Sequence, residues 1–492
     1  MNPLKKLAGQ TAVYGLSTIV GRLLNYLLVP LYTYQFADPR EYGVITEFYA
    51  YLSFLNVVLS YGMETALFNF ASKQAEPVRV AGTALWSLVL SSTVFLLVGL
   101  QFAQPIAELT RHPDHADYVR WVIWILALDA VSAIPFALLR QQQRPGRFAV
   151  LKTLNILVNI AGNVLFIGVA KWAYDHSAGG WGVYLACLYD PGIGIGYVFL
   201  ANLAASASTL VLLAPEFASV GLRFDIRLWR RMLRYGLPLL IAGLAGMINE
   251  TLDRVLLKYL LPPGEAMAQL GIYGACYKIS ILMSIFIQAY RFAAEPFFFS
   301  LYRERDSKEL YALTMNWFVI VCSAIFLGVM MNLGWIQYFI GAGYRTGLDV
   351  VPILLLANLC LGVFFNLSIW YKLTEQTRFG TYLTLWGAAV TLALNYYWIP
   401  RIGYMGSAWA TLACYGSMAM LSYLMGRRYF PVQYDLRRLL GYPLVTLLLV
   451  VSFGLLEMPG ERVELSLRNM VFLGFLIAVW QLERPRKSLR YR

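Results

Sequence analysis

Long apolar segments recur along almost the whole chain, and they limit its fold more than any other feature does. A membrane-spanning helix needs roughly 20 predominantly apolar residues. Fourteen segments meet this requirement, at about 9–35, 42–66, 82–104, 118–139, 148–170, 191–214, 233–260, 270–292, 311–332, 349–371, 379–399, 403–425, 437–456 and 465–482. The connections contain turn formers, as in "ADPREYG", "RPGR" and "LPPGE", and none is long enough for a soluble domain. The sequence therefore predicts an all-α polytopic membrane protein with about 14 transmembrane helices.

The distribution of charge agrees with a membrane protein. Only 14% of the residues are charged and 59% are hydrophobic, yet the net charge is +13. In a soluble chain such an excess would suggest nucleic acid as a partner. Here, 28 of the 40 basic residues fall on the N-terminal side of the predicted membrane, nine fall on the opposite side and three lie inside spans. Because Lys and Arg concentrate in cytoplasmic loops, we expect both termini in the cytoplasm and no nucleic-acid partner.

A weak internal repeat divides the chain into two parts. The matching positions lie in the same order with a nearly constant offset: Tyr14-Gly15-Leu16 with Tyr235-Gly236-Leu237, Tyr42-Gly43 with Tyr273-Gly274, Glu64 with Glu295, and Asn163 with Asn395. We expect an N-terminal lobe at 1–215 with spans 1–6, a pseudo-symmetric C-terminal lobe at 216–430 with spans 7–12, and a C-terminal helix pair with a basic cytoplasmic tail at 431–492. The alternative is chance recurrence of Tyr-Gly in a chain with 33 Tyr and 39 Gly.

Several stretches resemble one family of transporters. "VPLYTYQFADPREYGVITEF", "SYGMETALFNF", "DRVLLKYLL", "LGIYGACYKISILMSIFIQAYRFAAEPFFF" and "IPRIGYMGSAWATL" resemble bacterial polysaccharide flippases of the multidrug/oligosaccharidyl-lipid/polysaccharide (MOP) exporter superfamily. The resemblance covers residues 10 to about 425, and the last two spans match less distinctively. It implies a V-shaped, two-lobe bundle that moves a lipid-linked oligosaccharide across the bacterial inner membrane by alternating access. Transport against a gradient needs coupling, for which we expect H⁺ or Na⁺, and a polysaccharide polymerase is a candidate partner.

A flippase for such a substrate needs cations at membrane depth. An undecaprenyl-diphosphate sugar can leave its tail in lipid, while its anionic diphosphate requires basic groups. An unpaired charge there costs at least ~2.5 kcal/mol, so it should face water, an acid or the substrate. The candidate substrate-binding residues are Arg22, Arg254, Lys278 and Arg291. As structural alternatives, Arg22 would pair with Glu64 or Asp129, and Arg291 would pair with Glu295.

The segment "INETLDRVLLKYLL" carries four charges inside an apolar tract, namely Glu250, Asp253, Arg254 and Lys258. Their spacing places them within one arc of a helix. We expect them to neutralise one another through i,i+3 and i,i+4 contacts while lining an aqueous cavity, with Lys258 reaching the outer interface. The alternative is a structural lock between the lobes.

Ion coupling requires a carboxylate whose protonation changes during transport. The candidates are Glu64, Asp129, Glu250, Asp253 and Glu295. Asp129 is isolated in the apolar stretch "WILALDAVSAIPF", where a neutral, protonated form is plausible. A sodium site is the competing hypothesis.

The sequence offers little for an enzyme. The only histidines, His112, His115 and His176, fall in predicted outward loops, where we expect them to be solvated, and "RHPDH" lacks the further ligands of a metal site. "GIGIGY" lacks the GK[ST] of a nucleotide loop. We therefore expect no catalytic residue, metal or cofactor. A polysaccharide polymerase would need a large basic outward loop, a multidrug exporter would favour acidic sites, and a lipid II flippase remains an alternative.

Overall fold

The computed structural model describes residue 15 and residues 19–73, 76–176, 181–221, 223–301, 307–455 and 461–483. These residues are mostly helical, and no β-strand occurs among them. After helical residues 19–26, the α-helices are α1 (Leu28–Gln35), α2 (Pro39–Ser60), α3 (Met63–Ala71), α4 (Pro77–Gln101), α5 (Ala103–Leu109), α6 (Ala116–Gln141), α7 (Pro145–Asn163), α8 (Lys171–Asp175), α9 (Trp181–Ala186), α10 (Gly196–Leu212), α11 (Ala214–Val220), α12 (Ile226–Leu260), α13 (Pro263–Leu301), α14 (Ser307–Met331), α15 (Leu333–Ile336), α16 (Val350–Leu367), α17 (Ile369–Leu373), α18 (Arg378–Ile402), α19 (Tyr404–Tyr429), α20 (Leu436–Gly454) and α21 (Glu461–Glu483). A π-helical segment, Val164–Ala170, joins α7 to α8, and Gln337–Phe339 and Ala342–Gly347 are 3₁₀-helical.

The all-α prediction is confirmed, whereas the number of spans is not. Ten helical segments in the described ranges are long and apolar enough to cross a membrane, and the α10–α11 pair, bent by 45°, would make eleven. The first predicted span, 9–35, lies partly outside the described residues, because only residue 15 and residues 19–35 of it are described. Helices α18 and α19 coincide with predicted spans but are less apolar, because Tyr, Trp, Gly, Ser and Thr occupy many of their positions. The count of fourteen therefore stays a prediction.

Aspartates begin three of the long helices. Asp38, Asp225 and Asp435 precede α2, α12 and α20, and each side chain accepts hydrogen bonds from backbone amides in the first turn. These amides have no partner within the helix. In α2 the cap is followed by Pro39, whose fixed φ suits the first helical position. The caps explain why α2 and α12 begin three and seven residues before the predicted starts at 42 and 233.

The chain forms two compact units, one comprising Met1–Ala275 with Thr391–Ser407 and the other comprising Cys276–Val390 with Ala408–Arg492. In the first unit, α2 and α3 pack against α12, α4 against α6, and α7 against α10. In the second unit, α14 packs against α20 and α21. These boundaries are not those of the expected lobes at 1–215, 216–430 and 431–492, and the lobe division stays a prediction.

Two residues matched by the internal repeat occupy similar environments. Asn163 and Asn395 are both fully buried. Each donates a hydrogen bond to the carbonyl four residues earlier in its own helix, at 2.8 Å in both cases. Asn332 and Asn366 make the same bond four residues back, so the internal repeat stays a prediction.

Helices α2 and α13 approach closely because two glycines face each other. A Cβ atom on Gly271 would lie 1.8 Å from the Pro39 carbonyl oxygen, and one on Gly43 would lie 2.2 Å from the Met267 oxygen. Neither backbone oxygen can move without shifting its helix. Small residues at such a contact allow helices to pack by van der Waals forces in a membrane.

Gly271→Val should therefore force α2 and α13 apart and lower the free energy of unfolding by about 1–3 kcal/mol or more. Detergent-solubilised protein should show a lower thermal midpoint. Gly264→Ala is the matched control in the same helix, because a Cβ there would meet no atom within 4 Å. Equal midpoints for the two variants would contradict the close approach.

Candidate functional site

A polar cavity of about 650 Å³ lies within the first compact unit. It is bounded by α2, α3, α6, α7 and α10, with Met247 contributed by α12. Its charged lining residues are Glu64, Asp129, Arg140 and Lys152. A cavity of this size can enclose a ligand headgroup, and charges on membrane-spanning helices generally face such an interior and mark function.

Two polar stripes bring hydrogen-bonding groups to the cavity. On α7, Lys152 is followed by Asn155 at i+3, and on α10, Asn202, Ser206 and Thr209 recur at spacings of four and three residues. Such spacing places side chains on one helix face. The stripes meet where Asn155 Nδ2 donates to Thr209 Oγ1 at 2.8 Å. The cavity wall therefore offers amide and hydroxyl groups between its charges.

Arg140 forms one of the charged contacts of the cavity. Its guanidinium, near the end of α6, pairs with the Glu64 carboxylate from the first turn of α3. The Phe68 and Phe148 rings lie 5.4 and 5.9 Å from the guanidinium carbon, within cation–π range. The buried Nε of Arg140 has no hydrogen-bond partner among the described residues. Glu64 therefore neutralises Arg140 without using all of its donors.

Lys152 differs from Arg140 because no carboxylate pairs with it. Its ammonium lies 4.2 Å from the centre of the Phe136 ring. It forms no ion pair and no hydrogen bond with the residues that the structure describes, although the charge of Asp129 acts on it through space. A half-buried cation that has no bonded counter-ion among the described residues favours binding of an anion.

Asp129 lies at mid-helix in α6 and faces the same cavity. Ser206 Oγ donates to its Oδ1 at 2.7 Å. Within the described part of the chain, Asp129 takes part in no ion pair closer than 4 Å. Hydroxyl donation leaves it free to exist as carboxylate or as carboxylic acid, so it can carry a proton without breaking an ion pair.

A second cluster of charges is buried outside the cavity. Glu47 of α2 and Lys258 of α12 are 0% and 2% exposed, and their Oε1 and Nζ atoms are 2.6 Å apart. The other carboxylate oxygen of Glu47 lies 2.9 Å from His112 Nε2, which is 3.0 Å from Lys258 Nζ. The Lys258 ammonium also donates to the Thr110 carbonyl. We call Glu47, His112 and Lys258 the buried cluster.

Two of the predicted coupling residues line the cavity, whereas the predicted substrate-binding residue Arg22 does not. Glu64 and Asp129 both line the cavity. Arg22, predicted to bind substrate, is exposed, and its alternative pairing with Glu64 or Asp129 is wrong because those carboxylates bond to Arg140 and Ser206. Arg22 stays a candidate for substrate binding.

The four charges of the "INETLDRVLLKYLL" segment do not form one exposed stripe. Lys258 is buried and bonded to Glu47, so the expectation that it reaches the outer interface is wrong. Asp253 is also buried, and Tyr273 donates to it at 2.6 Å. Glu250 is exposed and Arg254 is half-buried, and both stay predictions.

The remaining candidates belong to the second compact unit. Lys278 is half-buried in α13. Arg291, in the same helix, lies with its guanidinium carbon 4.0 Å from the centre of the Phe365 ring. The side chain of Glu295 lies outside the described residues. The cavity in the first unit therefore contains none of the predicted substrate-binding cations.

Four residues in these contacts, Arg140, Lys152, Glu47 and His112, are not among the predicted site residues. Arg140 and Lys152 count among the basic residues on the predicted cytoplasmic side, although residue 152 falls inside the predicted span 148–170, and His112 falls in a predicted outward loop. A signal for Lys152 is present, because Lys152, Asn155, Asn159 and Asn163 form a polar stripe at helical spacing. No local signal identifies Glu47, whose partners lie 65 and 211 positions away.

Comparisons with known proteins match a family model to part of the chain and the folds of solved structures to most of it. A family model described as "Polysaccharide biosynthesis protein" matches residues 7–302. A structure described as "Lipid II flippase MurJ, inward closed conformation" aligns over 95% of this chain and 98% of its own, with a TM-score of 0.71 and 13% identity. An inward-facing multidrug resistance MATE family transporter of the MOP superfamily aligns over 85% and 94%, with a TM-score of 0.66 and 14% identity. No curated protein matches the chain significantly.

Proposed function

The chain belongs to the polysaccharide biosynthesis protein family and has the fold of MOP superfamily transporters, and from that premise we propose that it flips an undecaprenyl-diphosphate-linked oligosaccharide. The direction is from the cytoplasmic to the periplasmic leaflet of the bacterial inner membrane, by alternating access. The oligosaccharide is an O-antigen, capsule or exopolysaccharide repeat. The predicted family is confirmed by the family model, and the predicted fold agrees with that of the MurJ and MATE structures.

The observation that carries the proposal is Lys152, which forms no ion pair with the described residues, in a polar cavity between helices that are mostly long and apolar enough to cross a membrane. A diphosphate crossing the membrane needs a cation that is not already neutralised. Lys152 supplies that charge, and Arg140 adds guanidinium donors that can be shared between Glu64 and a phosphate oxygen.

The uncharged lining suits the sugars next to the diphosphate. Asn155, Asn202 and Thr209 offer both donors and acceptors, which match the hydroxyl groups of a saccharide. The isoprenoid tail needs no polar cavity, because it can remain in the lipid. One cavity wall therefore provides groups for both polar parts of the substrate.

The charge bias of the loops supports the proposed orientation. With both termini in the cytoplasm, the end of α6 and the start of α7 face the cytoplasm. Arg140 and Lys152 then lie toward the cytoplasmic end of the cavity, where a substrate made in the cytoplasm arrives. The buried cluster lies toward the periplasmic ends of α2 and α12.

Two other transport functions make different demands. A lipid II flippase also carries a diphosphate, so the identity of the glycan separates it from this proposal. A multidrug exporter of organic cations would favour unpaired carboxylates. Glu64 is paired with Arg140, and Asp129, which forms no ion pair with the described residues, shares the cavity with the cation Lys152. The Lys152 charge favours an anionic substrate.

A deletion strain tests the proposed function. Loss of surface polysaccharide, with a complete lipid-linked repeat accumulating on the cytoplasmic leaflet, is the expected result. Normal surface polysaccharide with changed drug sensitivity would contradict it and favour the multidrug exporter. A block in peptidoglycan synthesis would instead identify lipid II as the substrate.

We further propose that Asp129 carries the coupling proton. It faces the cavity, forms a hydrogen bond with Ser206 and can change protonation without losing an ion-pair partner. Asp129→Asn keeps the shape of the side chain but removes the exchangeable proton. Transport into proteoliposomes by this variant should no longer respond to an imposed pH gradient.

Ser206→Ala is the control for this prediction, because it removes the hydrogen bond and leaves the carboxylate. It should retain a response to the pH gradient. A wild-type response in Asp129→Asn would remove Asp129 from the mechanism. A response to a sodium gradient alone would identify Na⁺ as the coupling ion.

A further inference from the structure

We propose that the buried cluster of Glu47, His112 and Lys258 is a reversible clasp that closes the periplasmic end of the transport path. The inference rests on the proposed function for its direction, because the predicted topology places these ends outside. It assigns a conformational role to three side chains that do not line the cavity. Separation of Lys258 from Glu47 and His112 is the step that admits water from the periplasm.

The cluster joins three parts of the chain that are far apart in sequence. Glu47 belongs to α2, His112 to the loop between α5 and α6, and Lys258 to the last turn of α12. The first two parts lie in the predicted N-terminal lobe, and α12 lies in the predicted C-terminal lobe. A single lysine therefore ties the outer end of one predicted lobe to two elements of the other.

Lys258 is closely surrounded in this position. Its ammonium donates to Glu47 Oε1 and to the Thr110 carbonyl oxygen. His112 Nε2 lies within hydrogen-bond distance of both the ammonium and Glu47 Oε2, and it either accepts from the first or donates to the second. A second contact, between the Tyr51 and Tyr259 hydroxyl groups at 3.0 Å, joins the same two helices beside the cluster.

The same helices touch again at the opposite end of the cavity. Gly236 of α12 packs so closely against the turn before α3 that an added Cβ would lie 2.6 Å from the Tyr61 carbonyl oxygen. Along α12, Met247 of the cavity lies between Gly236 and Lys258. Along α2, the cavity residues Ser53 and Asn56 lie between Glu47 and Tyr61. A rotation about the glycine contact that opened the clasp would therefore open the cavity to the periplasm.

The chemistry of the cluster suits a contact that must open to water. A buried ion pair gains little net free energy over apolar packing, because the desolvation of two charges offsets their attraction. The same charges are well hydrated once they separate, so opening restores the hydration that closure removed. An apolar seal would expose hydrocarbon to water in every cycle.

Outside labelling of a cavity residue tests the clasp without requiring any transported substrate. The reporter is Asn56→Cys in a chain whose five native cysteines are replaced, and the reagent is a membrane-impermeant maleimide applied to spheroplasts. We expect Lys258→Met and Glu47→Gln each to increase the labelling rate several-fold. An unchanged rate in both would overturn the clasp, whether or not the protein flips glycans.

Two further variants separate a clasp from a general loss of structure. Glu216→Gln breaks another ion pair with a buried carboxylate, the 2.6 Å contact with Arg147, and should leave the labelling rate unchanged. The exchange Glu47→Lys with Lys258→Glu should restore slow labelling. An equal increase in Glu216→Gln would overturn the assignment.

A cross-linking experiment covers the case in which the single variants do not fold. Glu47→Cys and Lys258→Cys are joined by a reducible bis-methanethiosulfonate reagent in the reporter background. The maleimide is added after cross-linking, in a form with a distinct mass. The cross-link should block its reaction with Asn56→Cys from outside, and reduction of the cross-link should restore that reaction. Labelling that is indifferent to the cross-link would show that the path opens elsewhere.

Discussion

Lys152→Ala is expected to reduce export of the lipid-linked glycan by about tenfold or more, because a charge-assisted hydrogen bond contributes about 1.5–3 kcal/mol. The loss follows from the position of Lys152 as the cavity cation without a bonded carboxylate. Surface polysaccharide and the lipid-linked precursor left on the cytoplasmic leaflet are the quantities to measure. The amount of protein in the membrane should stay at the wild-type level, since Lys152 contributes no ion pair to the described fold.

Lys152→Arg and Lys171→Ala are the controls for this result. The first keeps the positive charge and should retain much of the export. The second removes a lysine that pairs with Asp175 at 2.6 Å, away from the cavity, and should have little effect. Normal export by Lys152→Ala would contradict the role of the cavity cation in binding the diphosphate.

Glu47→Ala should lower the free energy of unfolding by about 3–5 kcal/mol, the cost of leaving a buried charge uncompensated. Lys258 is almost fully buried and has no second carboxylate in the cluster. The double variant Glu47→Gln with Lys258→Met removes both charges and should be much closer to the wild type. Equilibrium unfolding in mixed micelles measures the difference.

Glu47 and Lys258 are coupled if the double variant loses less free energy of unfolding than the two single variants lose together. Glu265→Ala is a suitable control, because this glutamate is exposed and forms only a 3.3 Å contact with Gln269 one turn away. It should change stability by less than about 0.5 kcal/mol. If the stability lost in Glu47→Gln with Lys258→Met equalled the sum of the losses in Glu47→Gln alone and Lys258→Met alone, the buried cluster would not act as a unit.

The helices could be predicted from the sequence because lipid imposes a long apolar run on each span. The ends were less accurate, since caps such as Asp38 and Asp225 extend helices beyond the apolar positions. Helices α18 and α19 coincide with predicted spans, but their aromatic and small residues make them only weakly apolar, and their crossing of the membrane stays a prediction.

The site was predictable only in part. Glu64 and Asp129 were identified because a lone carboxylate in an apolar stretch is costly. Lys152 was overlooked because a basic residue near the end of a span also fits a cytoplasmic loop, and charge counting cannot distinguish the two. The buried cluster depends on packing between α2, α12 and a distant loop, and such contacts leave no periodic signal in a single sequence.

The most direct test of the proposed function uses only purified protein, lipid-linked substrate and a lipid bilayer. Purified protein is reconstituted into liposomes with undecaprenyl-diphosphate-linked oligosaccharide, and a lectin added outside reports the glycan in the outer leaflet over time. The account predicts translocation that depends on the protein and that Lys152→Ala slows about tenfold or more. Translocation that is equal with wild-type protein, with Lys152→Ala and with empty liposomes would contradict it.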